Sequence, residues 1–471
     1  MAQIAQTIQR SPHYRWKELG LLIIPFLVLL VAMTQLLLAN TDPRSSLNTS
    51  NLPTIQGLIP VFGLIAGLLV TNVVFSIFFR KADQVLLPLA GLLSGLGVLM
   101  STRLGPDISP PDGPIPDLGS KQLEWVLLGL IICIATMFIL RNISALARFK
   151  YTFAALGFLL LLPSVIKGIL TFKSNAPARD VLAIPFFSLQ PSELLKICII
   201  IFFAAYLGEN RDVLAQGYLP LGRLRLPPLR QLGPLALMLT LSLLVFLVVR
   251  ELGLALLIYG LFLSMTYLAS GKLSYVLVSL AIFAVLVFIA YGILSYIRVR
   301  FLIVSTNVVD WSAASESIYQ NVLGAGQIVQ GLIALSSGGI LGAGLGLGHP
   351  AGRFFVPVVQ SDMVFTAFGE ELGLAGLFAI IGIYLLIIYR GFRIAVESTD
   401  AFNQLLAAGL TSIFAIQTFI IAAGNMKFIP LTGIPLPFLS YGGSSILANY
   451  IIIGILLRIS YNNAVERDGT T

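Results

Sequence analysis

The 471-residue chain has the composition of a membrane protein, because 57% of its residues are apolar and only 11% are charged. Soluble domains average about 25% charged residues, so the sequence excludes an array of water-soluble domains. The net charge of +8 arises from Lys and Arg in short loops, where such residues set membrane orientation, and it therefore does not indicate nucleic-acid binding. The first apolar run, 19–39, is too long for a cleavable signal peptide, so we expect none.

Apolar runs of about 20 residues, enough to cross the hydrocarbon core, recur along the chain. We therefore predict an all-α polytopic membrane protein with about twelve transmembrane helices. Lys and Arg are more frequent in the segments that lie inside when the N-terminus is inside, which predicts that both termini are cytoplasmic. The predicted spans are 19–39, 54–78, 84–101, 122–140, 151–172, 191–208, 232–249, 253–269, 273–296, 364–389, 403–424 and 441–459.

Metal and nucleotide sites of the usual kinds are not expected. Cys133 and Cys198 both lie within apolar runs, which argues against a disulfide framework. His13 and His349 are the two histidines of the chain, too few for the usual His-based zinc or haem centre. No G-x-x-x-x-G-K-[ST] loop occurs, which argues against ATP-driven transport by this chain.

The sixth predicted span begins with two ionisable residues. Glu193 and Lys196 are three residues apart, so they share a helix face and can form an ion pair. Ionisable groups at membrane depth are costly and are functional candidates by default. An ion pair that only fixes helix packing is an equally good interpretation.

Basic residues at the predicted outer ends of the spans are candidates for binding a pyrophosphate. Arg179, Arg353 and Lys427 could each bind phosphate oxygens, although each alone is also typical of an interface anchor. Arg250 and Glu251 bracket the turn between the seventh and eighth predicted spans, where an interfacial pair is the simplest interpretation.

The segment 297–363, before the tenth span, is too long for an ordinary connection. Its composition is not polar enough for a disordered loop. Residues 327–348 are typical of a helix followed by a glycine-rich backbone. We therefore predict a folded outer-face element that partly re-enters the membrane.

Asp362 lies at the predicted outer mouth of the tenth span, and Glu370 and Glu371 follow within it. An acidic residue at a helix start is usually a cap that accepts hydrogen bonds from free N–H groups. The alternative is a carboxylate that takes part in catalysis. Glu370 and Glu371 point in different directions on a helix, so at most one of them faces a given cavity.

The segment 425–445 is apolar but is broken by prolines and glycines. Such a backbone cannot face lipid and is tolerated only where it is buried in protein or lines a water-filled cavity. We expect it to fold back into the membrane as part of a cavity wall facing Asp362, to which Ser440, Ser444 and Ser445 add hydroxyl groups. A packed external loop is the alternative.

Three motifs stand in order along the chain. They are Q-P-S-E-L-L-K at 190–196, S-D-M-V-F at 361–365 with G-E-E-L-G at 369–373, and P-L-T-G-I-P-L-P-F-L-S-Y-G-G-S-S at 430–445. Together they resemble the signatures of the shape, elongation, division and sporulation (SEDS) family, which includes RodA and FtsW. Gln327, Gln330 and the Gly338-Gly339 pair are similar to the outer-loop pattern of that family.

The chain departs from the family pattern in its outer loops. Of the N-G-A-[KR]-x-W motif it keeps only an Ala and Arg179, and its R-E-L-G turn carries Glu251, a one-carbon longer acid than the usual Asp. Ile421 stands where an Asn is common. These departures concern substrate contacts and not the fold. The chain also has about two N-terminal spans beyond a family core of about ten.

The resemblance implies a catalytic membrane core at 151–471, including the extracytoplasmic loop 297–363, preceded by N-terminal transmembrane helices at 1–150. It implies a peptidoglycan glycosyltransferase of the bacterial cytoplasmic membrane that polymerises lipid II, with a class B penicillin-binding protein as partner. A lipid II flippase and a non-catalytic scaffold for a cell-wall synthase are the alternatives.

In such a reaction one carboxylate suffices, because pyrophosphate leaves as a stabilised anion and needs positive charge instead of a general acid. Asp362 is the predicted catalytic base. Arg, Lys or a divalent cation such as Mg²⁺ or Mn²⁺ would stabilise the leaving group. The predicted substrate-binding residues are Glu193, Lys196, Arg179, Arg250, Glu251, Gln327, Arg353, Glu370, Lys427, Ser440, Ser444 and Ser445.

Overall fold

The structure, a computed structural model, is built from long apolar helices. It describes residues 14–39, 55–108, 118–170, 182–184, 187–211, 219–221, 224–226, 251–293, 295–306, 325–348, 356 and 359–469. The helices, numbered in chain order, are α1 (Trp16–Ala39), α2 (Ile55–Phe78), α3 (Leu86–Ile108), α4 (Leu118–Ile139), α5 (Lys150–Leu170), α6 (Pro191–Glu209), α7 (Leu252–Ser270), α8 (Leu273–Ile293), α9 (Ser295–Ser305), α10 (Ala325–Gly338), α11 (Val364–Val396), α12 (Ala401–Asn425) and α13 (Gly443–Gly469).

In the described part of the chain, eleven helices are long and apolar enough to cross a membrane, all except α9 and α10. They coincide with eleven of the predicted spans, so the prediction of a polytopic helical membrane protein is confirmed. The remaining predicted span, 232–249, lies outside the described residues. The helices α11 and α13 extend beyond their predicted ends, because helical hydrogen bonding continues past the point where charged residues end the apolar run.

Short strands and a 3₁₀ helix connect some of the helices. Leu182–Ile184 pairs antiparallel with Phe187–Leu189, and Leu219–Leu221 pairs antiparallel with Leu224–Leu226. The 3₁₀ helix Ile143–Phe149 leads into α5. These hairpins are small additions to an otherwise helical architecture.

Local sequence signals set several helix ends. Pro191 occupies the first turn of α6, where its missing N–H would have no helical partner in any case. The carboxylate of Asp400 caps α12 by accepting a hydrogen bond from the N–H of Asn403 at 3.3 Å. Gly271 ends α7 in the left-handed conformation, with φ of 66°.

The centre of the bundle is made by helices that are buried on most sides, chiefly α3, α6, α12 and α13, whereas α1, α5 and α8 expose apolar faces where lipid would lie. The helices α4 and α13 pack closely. A Cβ built on Gly129 would lie 2.4 Å from a ring carbon of Tyr450, so a small residue is needed for this approach. One buried apolar cluster includes residues from both sides of position 150, and the predicted domain division there stays a prediction.

The helix α11 is kinked at Gly373, which has φ of 66°. The carbonyls released near the kink, those of Glu370 and Glu371, accept hydrogen bonds from the N–H groups of Ala343 and Gly344 at 2.9 and 3.0 Å. The glycine-rich run after α10 is therefore a folded element, and it is docked by its backbone into the interrupted helix.

Candidate active site

Asp362 lies in the turn just before α11 and is half-buried. The amide nitrogen of Gln327, on α10, donates to both carboxylate oxygens of Asp362 at 3.4 Å, and the hydroxyl of Ser361 donates to one of them at 3.3 Å. Met363 occupies the N-cap position of α11, and no side-chain capping bond is formed there. Asp362 is therefore not the N-cap residue of α11, and the contacts of its carboxylate given above come from Gln327 and Ser361.

The backbone of Asp362 is held from α12. The side-chain amide of Asn425, which is buried, donates to the carbonyl of Asp362 at 3.1 Å and to that of Ile421 at 2.9 Å. This contact fixes the position of the turn that carries the carboxylate. Sequence reasoning did not single out Asn425, although it stands at the start of the proline- and glycine-broken segment, one helical turn beyond Ile421.

The segment 426–442 folds back among the helices and lies against the turn that carries Asp362. The N–H of Tyr441 donates to the carbonyl of Gln360 at 2.8 Å, and the hydroxyl of Ser440 donates to the carbonyl of Ser361. A Cβ built on Gly433 would lie 3.9 Å from a carboxylate oxygen of Asp362. The broken segment is thus a wall of the site beside this carboxylate.

The serine hydroxyls of the broken segment and the start of α13 are engaged within the protein. Ser440 accepts a hydrogen bond from the N–H of Leu436 at 2.7 Å. Ser444 accepts one from the N–H of Gln190 at 3.0 Å, and Ser445 one from the amide of Asn449 at 3.3 Å. These bonds position the backbone of the wall, and the predicted sugar contacts of the three serines stay predictions.

The predicted pair of Glu193 and Lys196 is formed, with an N–O distance of 2.7 Å, and both residues are buried. Lys196 also donates to the side-chain oxygen of Gln417 at 3.1 Å. The nitrogen of Gln417 in turn donates to the carbonyl of Pro435 at 2.6 Å. The ion pair therefore supports the broken segment through Gln417, a residue that the sequence analysis did not identify.

The two glutamates of the G-E-E-L-G motif are both buried. Glu371 forms an ion pair with Arg103 of α3 at 3.0 Å and accepts a hydrogen bond from the N–H of Gly346 at 3.0 Å. Arg103 also donates to the carbonyl of Gly348 at 2.7 Å. Glu371 thus fastens the glycine-rich run, and the predicted substrate contact of Glu370 stays a prediction. Arg103 stands two residues beyond the predicted span 84–101, and the sequence analysis did not single it out.

The predicted outer cations are described only in part. Arg179, Arg250 and Arg353 lie outside the described residues. Lys427, in the left-handed conformation with φ of 63°, donates to the carbonyl of Thr306. Burial lowers the pKa of the Lys427 ammonium group.

Glu251 occupies the N-cap position of α7, where no side-chain capping bond is formed, and it is half-buried. Its predicted part in substrate binding stays a prediction, since Arg250, with which it was expected to pair, is not described.

The described residues contain no group of three or more His, Cys, Asp or Glu side chains able to hold a metal ion. Mg²⁺ is often held by only one or two carboxylates together with substrate phosphates. Asp362 provides one such carboxylate, and the predicted divalent cation stays a prediction.

The fold and the site together define a multi-pass membrane protein with a half-buried carboxylate at one end of its helix bundle. The chain belongs to the FtsW, RodA and SpoVE family, because the family profile described as "Cell cycle protein" matches residues 83–465. The SEDS resemblance is thereby confirmed. The match begins after α2, so α1 and α2 lie outside it.

Curated relatives share much of the chain. A protein of Mycobacterium leprae named peptidoglycan glycosyltransferase RodA is 37% identical over 82% of this chain and 79% of its own length. A protein of Trichlorobacter lovleyi named probable peptidoglycan glycosyltransferase FtsW is 31% identical over 72% of this chain and 82% of its own length.

Solved structures share the fold. A chain from work described as "Structural coordination of polymerization and crosslinking by a peptidoglycan synthase complex" has a TM-score of 0.60 and 23% identity, over 82% of this chain and 99% of that one. The Rod shape determining protein RodA of Thermus thermophilus has a TM-score of 0.53 and 21% identity, over 82% of this chain and 98% of its own.

Proposed function

We propose that this protein is a peptidoglycan glycosyltransferase that polymerises lipid II at the outer face of the bacterial cytoplasmic membrane. One observation carries the proposal. The carboxylate of Asp362 is half-buried, contacts the neutral donors Gln327 and Ser361, and lies beside Gly433 of the broken segment. Relatives named peptidoglycan glycosyltransferases support the same activity.

The proposed reaction joins two sugars. The 4-hydroxyl of the acceptor sugar attacks the anomeric carbon of the donor, and the bond between that carbon and the pyrophosphate oxygen breaks. Asp362 takes the proton of the attacking hydroxyl as general base. The electron pair of the broken bond leaves with undecaprenyl pyrophosphate, which needs no protonation to depart.

Residues around the carboxylate have positioning roles in this proposal. Gln327 orients the carboxylate from α10, and Asn425 holds its backbone carbonyl from α12. A base must stay within hydrogen-bonding reach of the proton that it removes, and contacts from two separate helices restrict its movement. The contacts of Gln327 are long, at 3.4 Å, as hydrogen bonds of catalytic groups often are before the substrate binds.

Positive charge would assist the departure of pyrophosphate. Lys427 and the cations predicted at Arg179, Arg250 and Arg353 are the candidates from this chain, and Mg²⁺ or Mn²⁺ bound to the pyrophosphate of the substrate would supply further charge. The undecaprenyl tails of the substrate would extend into the bilayer through an opening between helices. With both termini in the cytoplasm, the Asp362 end of the bundle faces outward.

A class B penicillin-binding protein is the proposed partner, since the strand made by a polymerase must be crosslinked. A structural neighbour of this fold comes from a complex that coordinates polymerization and crosslinking. The partner and the lipid II substrate would both bind this chain within the cytoplasmic membrane.

Purified full-length protein in liposomes with fluorescent lipid II tests the function. Glycan strands that a muramidase digests are the expected product. Movement of lipid II across the bilayer without polymer would assign a flippase instead, and neither product would assign a scaffold. Liposomes without protein provide the background for both readouts.

A further inference from the structure

A cavity of about 1140 Å³, lined by many charged side chains, lies at the opposite end of α11 from Asp362. Four separate parts of the chain line it: the start of α1, the connection 81–85, the end of α11 and the end of α13. The reaction proposed above uses none of these residues. The cavity therefore requires an explanation of its own.

The cavity walls carry more cations than anions. Its basic residues are Lys17, Lys81, Arg390, Arg393 and Arg467. Arg and Lys side chains that converge from several elements are suited to binding phosphate oxygens, which accept several hydrogen bonds at once.

Three acidic side chains, Asp83, Glu397 and Glu466, also line the cavity. Asp83 fixes Arg390 in the wall, accepting a hydrogen bond from its Nε at 2.9 Å. This bond and a second one from the same guanidinium leave further N–H donors, because arginine has five. The lining thus keeps an excess of positive charge, with five basic against three acidic side chains.

Two of the cations are held by ion pairs that solvent already reaches. Arg393 lies 2.9 Å from Glu397, with side chains 52% and 41% exposed, and Lys81 lies 2.6 Å from Asp468, with side chains 44% and 55% exposed. Exposed pairs contribute little to stability. A phosphate could replace either carboxylate at little cost.

The position of the cavity identifies the source of the phosphate. Trp16, next to Lys17, is 70% exposed, as is typical of aromatic side chains at the membrane–water interface. Leu21 lines the cavity and is exposed, and the same helix continues with the exposed residues Ile24 and Val28. The cavity therefore lies at headgroup level and opens onto an apolar helix face.

We propose that this cavity binds the phosphate headgroup of an anionic phospholipid, whose acyl chains lie along α1. Because α1 supplies Lys17, the helix pair outside the family match would add a lipid-binding site to the catalytic bundle. The proposal does not depend on the reaction at Asp362.

Native mass spectrometry of the full-length protein in neutral detergent tests this site. The binding of phosphatidylglycerol is compared with the binding of phosphatidylcholine, glycerol 3-phosphate and inorganic phosphate, each titrated separately. We expect selective retention of phosphatidylglycerol. The variants K17Q and R467Q should each weaken that binding about fivefold, and the double variant about 25-fold, since a basic residue near an anionic lipid contributes about 1 kcal/mol.

The matched control is R148Q, which removes an exposed cation from the same end of the bundle outside the cavity. Equal binding of the two lipids, or the same affinity in K17Q, R467Q, R148Q and the parent protein, would overturn the proposal. Equally tight binding of glycerol 3-phosphate or inorganic phosphate would assign the cavity to a soluble phosphate and would also overturn it.

Discussion

The side chain of Lys196 is 1% exposed, so protein groups must balance its charge. Glu193 supplies the opposite charge, and Gln417 accepts a further hydrogen bond and passes the contact on to the carbonyl of Pro435. The ion pair is thus connected to the wall of the site beside Asp362, although it lies on a different helix.

We predict strong coupling between Glu193 and Lys196. Either single change to Ala leaves a buried charge uncompensated, which costs about 3–5 kcal/mol, so E193A and K196A should each lower the thermal unfolding temperature markedly. The double variant should be less destabilised than the sum of the singles, measured by unfolding in detergent. Strict additivity would mean that the two side chains do not interact.

At the scale of residues, the sequence predicts partners that are close along the chain and misses those that are distant. Glu193 and Lys196 were paired because helical geometry places residues three apart on one face. The bond from Lys196 to Gln417 spans 221 positions, and that from Arg103 to Glu371 spans 268. No local pattern encodes such contacts, because they depend on how the helices pack.

At the scale of elements, the interruption of α11 depends on Gly373. Its φ is 66°, and a Cβ at this position would lie 2.3 Å from the backbone nitrogen of Gly342. Both the conformation and the space therefore require glycine. The kink frees the carbonyls of Glu370 and Glu371, which accept hydrogen bonds from the N–H groups of the glycine-rich run.

We predict that G373A separates the glycine-rich run from α11, with a marked loss of thermal stability and of polymerase activity. The control is G382A in the same helix, where a Cβ would meet nothing within 4 Å. Because alanine favours a helix by about 1 kcal/mol over glycine, G382A should be neutral or stabilising. Equal behaviour of the two variants would show that the kink is not required.

The helical spans were predictable because an apolar run of membrane-spanning length is a local property. The glycine-rich run was also predictable as a folded element, but its docking site was not. The G-E-E-L-G motif indicates a helix, and only the packing shows that Gly373 breaks it. The role of Asp362 could not be decided from the sequence either, because an acidic residue at a helix start is expected both for a helix cap and for a catalytic carboxylate.

At the scale of the whole molecule, the two N-terminal helices are fastened to the part of the chain that matches the family. Arg15 and Glu18 form a buried ion pair at the start of α1. Arg15 also donates to the carbonyls of Phe79, at 2.8 Å, and Asp83. Glu18 accepts a hydrogen bond from the amide of Asn72, on α2, at 3.0 Å. The bond to Asp83 joins α1 to the first residue of the family match.

We predict that the protein forms a complex with a single-span class B penicillin-binding protein. Helix association in lipid relies on close packing and polar contacts, so the complex should survive mild detergent and co-purify in a stable ratio. Full polymerase activity in preparations that repeatedly lack any such protein would contradict an obligate partnership.

The role of Asp362 is tested most directly by polymerisation of labelled lipid II by D362N. Asparagine keeps the size of the side chain and removes the base, so we predict a loss of about 10²–10⁴-fold in the rate of glycan synthesis with an unchanged unfolding temperature. The control E209Q alters an exposed carboxylate that pairs with Lys150 and should retain the parent rate. Glycan synthesis by D362N at a rate near that of the parent protein would contradict the assignment of Asp362 as the base.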